Sequence, residues 1–447
     1  MTTLWQASQQ LQAGTSRPDT FTEAALKAAS DPLGEGTRVF LRRYEEKAKT
    51  QAQQAGLRWA VKEEQSPIDG LPISIKDLFD VKGEATTAGS RLLADAPVAA
   101  MNAGMVARLE QAGAAIVGKT NMTEFAFSGL GINPHYGTPA NPWQRAEKRI
   151  PGGSSSGAAV AVADGMCLGA VGTDTGGSVR IPAALCGLTG FKPTASRIDQ
   201  TGTLPLSASL DSIGVIAHDV RSCWLLDSII AKVPLDIEER DLSQARFAIP
   251  QTRVLEDRDE EVTKAWQAAI SVLRNAGATL VDLPLPELNE LNVMNARGGI
   301  TALEAWQWHQ HSAAQQPEAY DPQVLVRVQR GSLLNEQDAA ELYQQRTEWQ
   351  QRVNQTLAGF DALLMPTVPR IAPTIESLDD PQRYREINAL MLRNTSVINM
   401  LDGCAISLPC HQSGTAPVGL SLASLHGDDA RLLSWSLAVE TALNRRG

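Results

Sequence analysis

Residues 150–182 read IPGGSSSGAAVAVADGMCLGAVGTDTGGSVRIP. Two turns rich in glycine and serine, residues 152–157 and 173–178, bracket a helix of small residues and a short apolar strand. A core helix has no need of glycines at both of its ends. Glycine beside serine is where backbone N–H groups can approach a ligand closely, so the chemistry of the chain is expected here.

Two readings of the serines compete. Gly153-Ser154-Ser155-Ser156-Gly157 matches the G-x-S-x-G nucleophile elbow, which would make Ser155 the nucleophile. That elbow needs an apolar strand running into it, and residues 146–151, AEKRIP, are charged and end in proline. The second turn does have its strand, the apolar run 168–172. Ser178 follows where the chain turns into a helical stretch over 179–185, and is the better candidate.

A serine hydroxyl needs a base within hydrogen-bond reach. None of His135, His218, His309, His311, His411 and His426 lies in a glycine-framed turn or in a recognisable triad pattern with a carboxylate. A lysine serves if burial holds it neutral. Residues 69–77, DGLPISIKD, read as a turn followed by a buried strand that ends in Lys76. Most lysines are solvated surface charges, and an apolar strand delivering one is the exception.

Lys76 in GLPISIKD, Ser154 in PGGSSSG and Ser178 in GTDTGGSVRIPAALCGLTGFKPT together resemble the amidase signature family, with its Ser-cisSer-Lys triad. The interval from Ser154 to Ser178 fits that family. Residues 117–122, VGKTNM, and 141–143, NPW, are also similar to family segments. The dense resemblance covers residues 66–220 and continues more weakly to the C-terminus. Three separated motifs in the right order make a far stronger signal than one short pattern.

The resemblance implies an α/β fold with one large twisted mixed β-sheet flanked by helices on both faces. It implies a single amidase domain over 1–447: N-terminal helices over 1–60, the signature core over 66–220, peripheral helices and closing strands over 221–447. Ser178 would attack an amide carbonyl, with Ser154, after a cis peptide, relaying its proton to neutral Lys76. The N–H groups of Thr175, Gly176, Gly177 and Ser178 would form the oxyanion hole. Asp174 would brace that loop or merely cap a turn; Arg180 would be structural or face the substrate. Phe127, Ser128 and Gly129 would line the pocket, with Phe127 as plain core the competing reading. Arg346 aligns with a position that in some relatives grips a substrate carboxylate, against a surface helix arginine. Ser156 and Val215 depart from the commonest family pattern, which has glycine and proline there. No cofactor or metal is implied; the partner is a small-molecule amide, and relatives often form homodimers.

The bounds agree. The chain has 447 residues, 43% hydrophobic and 20% charged, enough for a large core. A net charge of −10 argues against a grip on nucleic acid or an anionic membrane. Five cysteines without metal-ligand spacing read as free thiols in a reducing compartment. With no signal peptide and no long apolar run, a cytoplasmic protein is expected.

A decoy and two alternatives remain. Residues 113–120, GAAIVGKT, satisfy G-x-x-x-x-G-K-T, but a helix precedes Gly113 and the residues between the glycines are themselves a strand. Nucleotide binding by this loop is the remote alternative. The nearer one is the glutamine-hydrolysing subunit of a tRNA-dependent amidotransferase. Elsewhere, a helix carrying Phe40, Leu41, Tyr44 and Ala48 on one face is expected, and another over 123–127. Helices are also expected over 220–230, 257–276, 337–358 and 428–443, with paired closing strands over 405–409 and 417–423.

Overall fold

Strand-forming segments from residue 40 to residue 424 pair into a single sheet. The structure, a computed structural model, describes residues 1–231 and 233–445. Among these the strands are β1 (Phe40–Arg43), β2 (Pro72–Lys76), β3 (Ala115–Thr120), β4 (Gly169–Thr173), β5 (Thr189–Lys192) and β6 (Ile213–Ala217). The chain continues with β7 (Arg246–Pro250), β8 (Thr279–Leu283), β9 (Ala362–Pro366), β10 (Cys404–Pro409) and β11 (Gly419–Ser424). Their order across the sheet is β1-β3-β2-β4-β6-β5-β10-β11-β9-β7-β8. The pairs β3/β2, β2/β4, β9/β7 and β7/β8 are parallel and the others antiparallel, so the sheet is mixed.

Side-chain alternation divides two cores across this sheet. Val171 and Val215 join Ile73, Ile75 and the helices Val220–Ile230 and Asp429–Asn444 in one core. Their neighbours Ala170 and Ile216 join the other, packed on the helix Ser156–Ala163. Every residue of β2, β4, β5 and β6 is buried, as expected of strands covered on both faces. The small side chains of Ser156–Ala163 are all buried but the last, which lets that helix lie close on the sheet.

Several expectations hold: Val220–Ile230 is a helix, Glu260–Asn275 and Glu336–Leu357 are helices, and Asp429–Asn444 ends the described chain. Others are corrected. Phe40–Arg43 is not part of a helix but edge strand β1, antiparallel to β3; the helix starts only at Glu45 and runs to Val61. Pairing with β3 outweighs the local 3.6-residue pattern. Residues 123–127 hold only a 3-10 turn, Glu124–Ala126, because Phe125 and Ala126 take positive φ. The strands β10 and β11 do pair, but they lie in the sheet interior, where β10 is hydrogen-bonded to β5. Residues 115–120 are indeed a strand, and Lys119 is buried against Asp77 at 2.9 Å, so no phosphate-binding loop forms. Among the described residues no helix is long and apolar enough to cross a membrane.

Candidate active site

The site is built where two parallel strands end side by side. β2 and β4 pair in parallel, with Ile75 opposite Val171, so Lys76 and Thr173 finish their strands together. Ligand sites of open α/β sheets gather at such carboxyl ends. Lys76 is fully buried. Its Nζ lies 2.7 Å from Ser154 Oγ and 2.8 Å from Thr173 Oγ1. Loss of water around the amine pushes its pKa down to about 7, against the pull of the Asp174 and Asp211 charges.

Lys192 shows what this placement means. It too is fully buried and is pushed down to about 8 by burial, yet its Nζ donates to the carbonyls of Pro193 and Gly403 at 2.8 and 2.7 Å. Carbonyls have no proton to give. Lys76 faces two hydroxyls, either of which can donate to a neutral amine.

The Gly153–Ser154 peptide is cis. Glycine is required at 153 because a Cβ there would lie 2.5 Å from the Gly131 nitrogen. Ser155 is buried with its hydroxyl directed at the Thr173 carbonyl, 3.5 Å away, and no strand leads into its turn. Ser178, 2% exposed, lines the cavity described below. The two serine turns are tied through the backbone, Ser155 N–H donating to the Ser178 carbonyl at 3.2 Å. Among the described residues no hydrogen bond joins the Ser154 and Ser178 hydroxyls.

Asp174 organises the loop between Thr173 and Ser178. Its carboxylate accepts from Gly177 N–H at 2.9 Å and Val179 N–H at 3.2 Å, and from Arg180 through Nε at 3.0 Å and Nη2 at 2.8 Å. Burial alone would raise its pKa. The Arg180 charge and hydrogen bonds, with Lys192 and Asn399, outweigh that and hold it well below the usual carboxylate range. Arg180 is fully buried, and its remaining bonds go to the Thr395 carbonyl and Asn399. It is therefore structural, and Asp174 is the loop's brace.

That brace alters the expected set of oxyanion donors. The Gly177 N–H is committed to Asp174, whereas the N–H groups of Thr175, Gly176 and Ser178 have no acceptor among the described residues. Those three residues line the cavity and Gly177 does not. Gly177 has φ 132°, and a Cβ on it would fall 2.1 Å from Thr395 Oγ1, so glycine is needed for the turn rather than for the hole. Thr175 is fixed in turn by its hydroxyl, which donates to Asp211. Burial pushes Asp211 up to about 6, against that bond and the amides of Ser207 and Leu206.

The cavity in front of Ser178 has a volume of about 350 Å³. Phe127 and Ser128 line it, but the Ser128 hydroxyl is tied to Asn388 and Tyr384. Gly129 stands behind the wall, its N–H on Asn388 Oδ1 and its carbonyl receiving Gly153 N–H. Arg346 is not in the cavity wall: its guanidinium clamps the carbonyls of Met400, Ser209 and Asn399. The cavity is instead lined by Arg253, Arg327, Arg330 and Arg393, which sequence reasoning missed together with Thr173, Asp211 and Asn399. Among the described residues no group of three or more His, Cys, Asp or Glu is placed to hold a metal ion.

Fold and site together define an α/β enzyme with a serine-rich, lysine-backed centre. The amidase family model matches residues 22–433. The chain is 37% identical over 393 residues to 2-amino-5-chloromuconic acid deaminase of Comamonas testosteroni, covering 85% of this chain and 83% of that one. It is 35% identical to a glutamyl-tRNA(Gln) amidotransferase subunit of Chloroflexus aurantiacus, covering 82% and 81%. A crystal structure of an amidase superposes with TM-score 0.88 at 31% identity, over 98% of this chain and 99% of that one. The chain belongs to the amidase signature family and is a hydrolase of amide C–N bonds.

Proposed function

We propose that the chain hydrolyses a carboxamide through an acyl-enzyme on Ser178. Neutral Lys76 takes the proton of Ser154 as Ser154 takes that of Ser178, and Ser178 Oγ bonds to the carbonyl carbon. The N–H groups of Thr175, Gly176 and Ser178 receive the oxyanion. As the C–N bond breaks, the proton returns through Ser154 to the leaving nitrogen, and ammonia or an amine departs. Water then adds to the ester by the same relay and frees the acid and Ser178.

The observation carrying this reading is the 2.7 Å contact between Lys76 Nζ and Ser154 Oγ, made by an amine that burial brings to about 7. Likeness to a deaminase supports ammonia as the leaving group. The five cysteines are buried and, among the described residues, none is disulfide-bonded, which fits work in the cytoplasm. Treating the protein with a fluorophosphonate and mapping the modified peptide tests the assignment: the adduct is expected on Ser178. An adduct on Ser155, or none, overturns it.

Likeness to an amidotransferase component supports a second reading, a glutamine hydrolase that works with partner proteins. Against it, no Asp or Glu among the described residues lines the cavity to receive the α-ammonium of glutamine. Assaying the purified chain alone on glutamine and on simple amides separates the two.

A further inference from the structure

Two of the elements around the cavity that holds Ser178 come from distant parts of the chain. One is the loop that supplies Ala126, Phe127 and Ser128; the other is the helix Pro322–Gln329, which supplies Arg327. They touch where the Arg327 guanidinium carbon lies 4.6 Å from the centre of the Phe127 ring. A second tie between them runs through Glu124, which does not itself line the cavity.

Glu124 is fully buried. Its Oε2 accepts from the N–H of Asp321, the residue that caps the helix, at 2.7 Å. Its Oε1 accepts from Ser90 Oγ at 2.6 Å and lies 2.7 Å from His135 Nε2. Burial, with Arg91 adding to it against Asp321, pushes His135 below its ordinary value, so near neutrality the ring is uncharged and Nε2–H donates. Burial also pushes Glu124 up to about 7, against the bonds from Ser90 and the Asp321 amide. A buried charge with its partners adds little net stability over an apolar group of similar size. What these bonds do enforce is one spacing between the loop and the helix.

The loop needs such a restraint. Phe125 and Ala126, neither of them glycine, have φ of 49° and 59°. Each such residue costs about 1–3 kcal/mol and keeps its conformation only where the surroundings fix it. On the far side of the loop the Phe125 ring is packed 4.4 Å from His309 and 5.5 Å from Tyr320, the neighbour of Asp321.

We propose that Glu124, oriented by Ser90 and His135, is a positioning residue for the substrate: by tying the Asp321 amide to the loop it sets how Phe127 meets Arg327, and so the width of the cavity open to the acyl group. The inference rests on the amidase reading of that cavity. Glu124 touches neither the reacting serine nor its lysine, so its loss should alter what fits rather than how the bond is cut.

Glu124→Gln keeps one acceptor oxygen, so either the Asp321 amide or the Ser90 and His135 donors go unpaired. Hydrogen exchange on the full chain reads the tie whether or not Ser178 is the nucleophile: the Asp321 amide and residues 125–128 should exchange about tenfold or more faster, with β4 unchanged. Inactivation by two fluorophosphonates reads the fit. The second-order rate for a reagent with a phenylbutyl arm should fall about tenfold, while that for a methyl reagent stays within about twofold. His135→Leu should lower the phenylbutyl rate in the same direction, and His135→Gln, which keeps a donor at the place of Nε2, should recover most of it; this pair carries the test if Glu124→Gln does not fold. Equal loss of both rates, no change in either, or unaltered exchange at Asp321 and 125–128 overturns the proposal. Failure of both reagents to modify Ser178 in the native protein is a different result, which removes the amidase reading, and the acyl group with it, whatever the exchange shows.

Discussion

Lys76 Nζ lies 2.8 Å from Thr173 Oγ1, a contact made across the ends of two neighbouring parallel strands. The amine is thus located by sheet backbone rather than by a loop, and its second partner, Ser154, completes the arrangement at 2.7 Å.

Thr173→Val keeps the shape of that contact and removes its hydroxyl. A net hydrogen bond is worth about 0.5–1.5 kcal/mol, so kcat should fall about two- to tenfold. Circular dichroism should be unchanged, and a loss beyond about a hundredfold would mean that Thr173 does more than hold the amine.

Lys76→Met replaces a desolvated amine by an apolar chain of similar length. General acid–base groups contribute about 10²–10⁴-fold, and kcat/KM should fall by that much. The melting temperature should hold or rise. Near-native turnover would remove Lys76 from the mechanism.

The pH dependence follows from the same group. With Lys76 at about 7, kcat/KM should climb with pH to a plateau, half-way near neutrality, in a limb that Lys76→Met abolishes. The stability effect has the sign of a depressed lysine. Below about 7 the fold must hold a buried ammonium; that unfavourable contribution shrinks as pH rises from about 7 to 10.5. The gain in melting temperature of Lys76→Met over native protein should accordingly be largest in mild acid and narrow in alkali.

Asp174→Asn leaves Arg180 buried without its counter-ion. Removing one partner of a buried pair costs about 3–5 kcal/mol, and a lowered denaturation midpoint should report it. Activity should fall as well, because the Gly177 and Val179 amides bond different oxygens of the carboxylate, and asparagine keeps only one acceptor to shape the loop.

Arg346→Met should destabilise, since carbonyls of Met400, Ser209 and Asn399 lose a donor, at about 1–3 kcal/mol for each one left buried and unpaired. The preference between succinamate and butanamide should not change. A change would restore the carboxylate-gripping role, one of the two readings that the sequence leaves open for Arg346.

Lys76, Ser154 and Ser178 are legible because each sits in a contiguous signal: an apolar strand ending in a lysine, and two glycine-framed turns. The course of β2 and β4 follows from the same runs. Phe40–Arg43 misleads because four residues of an edge strand also fit one face of a helix, and only β3 decides between them. The cavity wall is hidden for a different reason. Arg253, Arg393 and the pair Arg327 and Arg330 come from three separate stretches of the C-terminal half, and nothing local distinguishes them from surface arginines. The Gly177 amide passes for an oxyanion donor because sequence gives a loop's residues and not the direction of its N–H groups.

Because β5 is hydrogen-bonded to β10, the segment that carries both serines stays open along one border until residues beyond 400 have left the ribosome. A nascent or prematurely stopped chain would display that bare border to other polypeptides, a template for aggregation. The sheet around both serines is therefore complete only after β10 has been made, and products that stop before it are candidates for rapid disposal rather than for residual turnover.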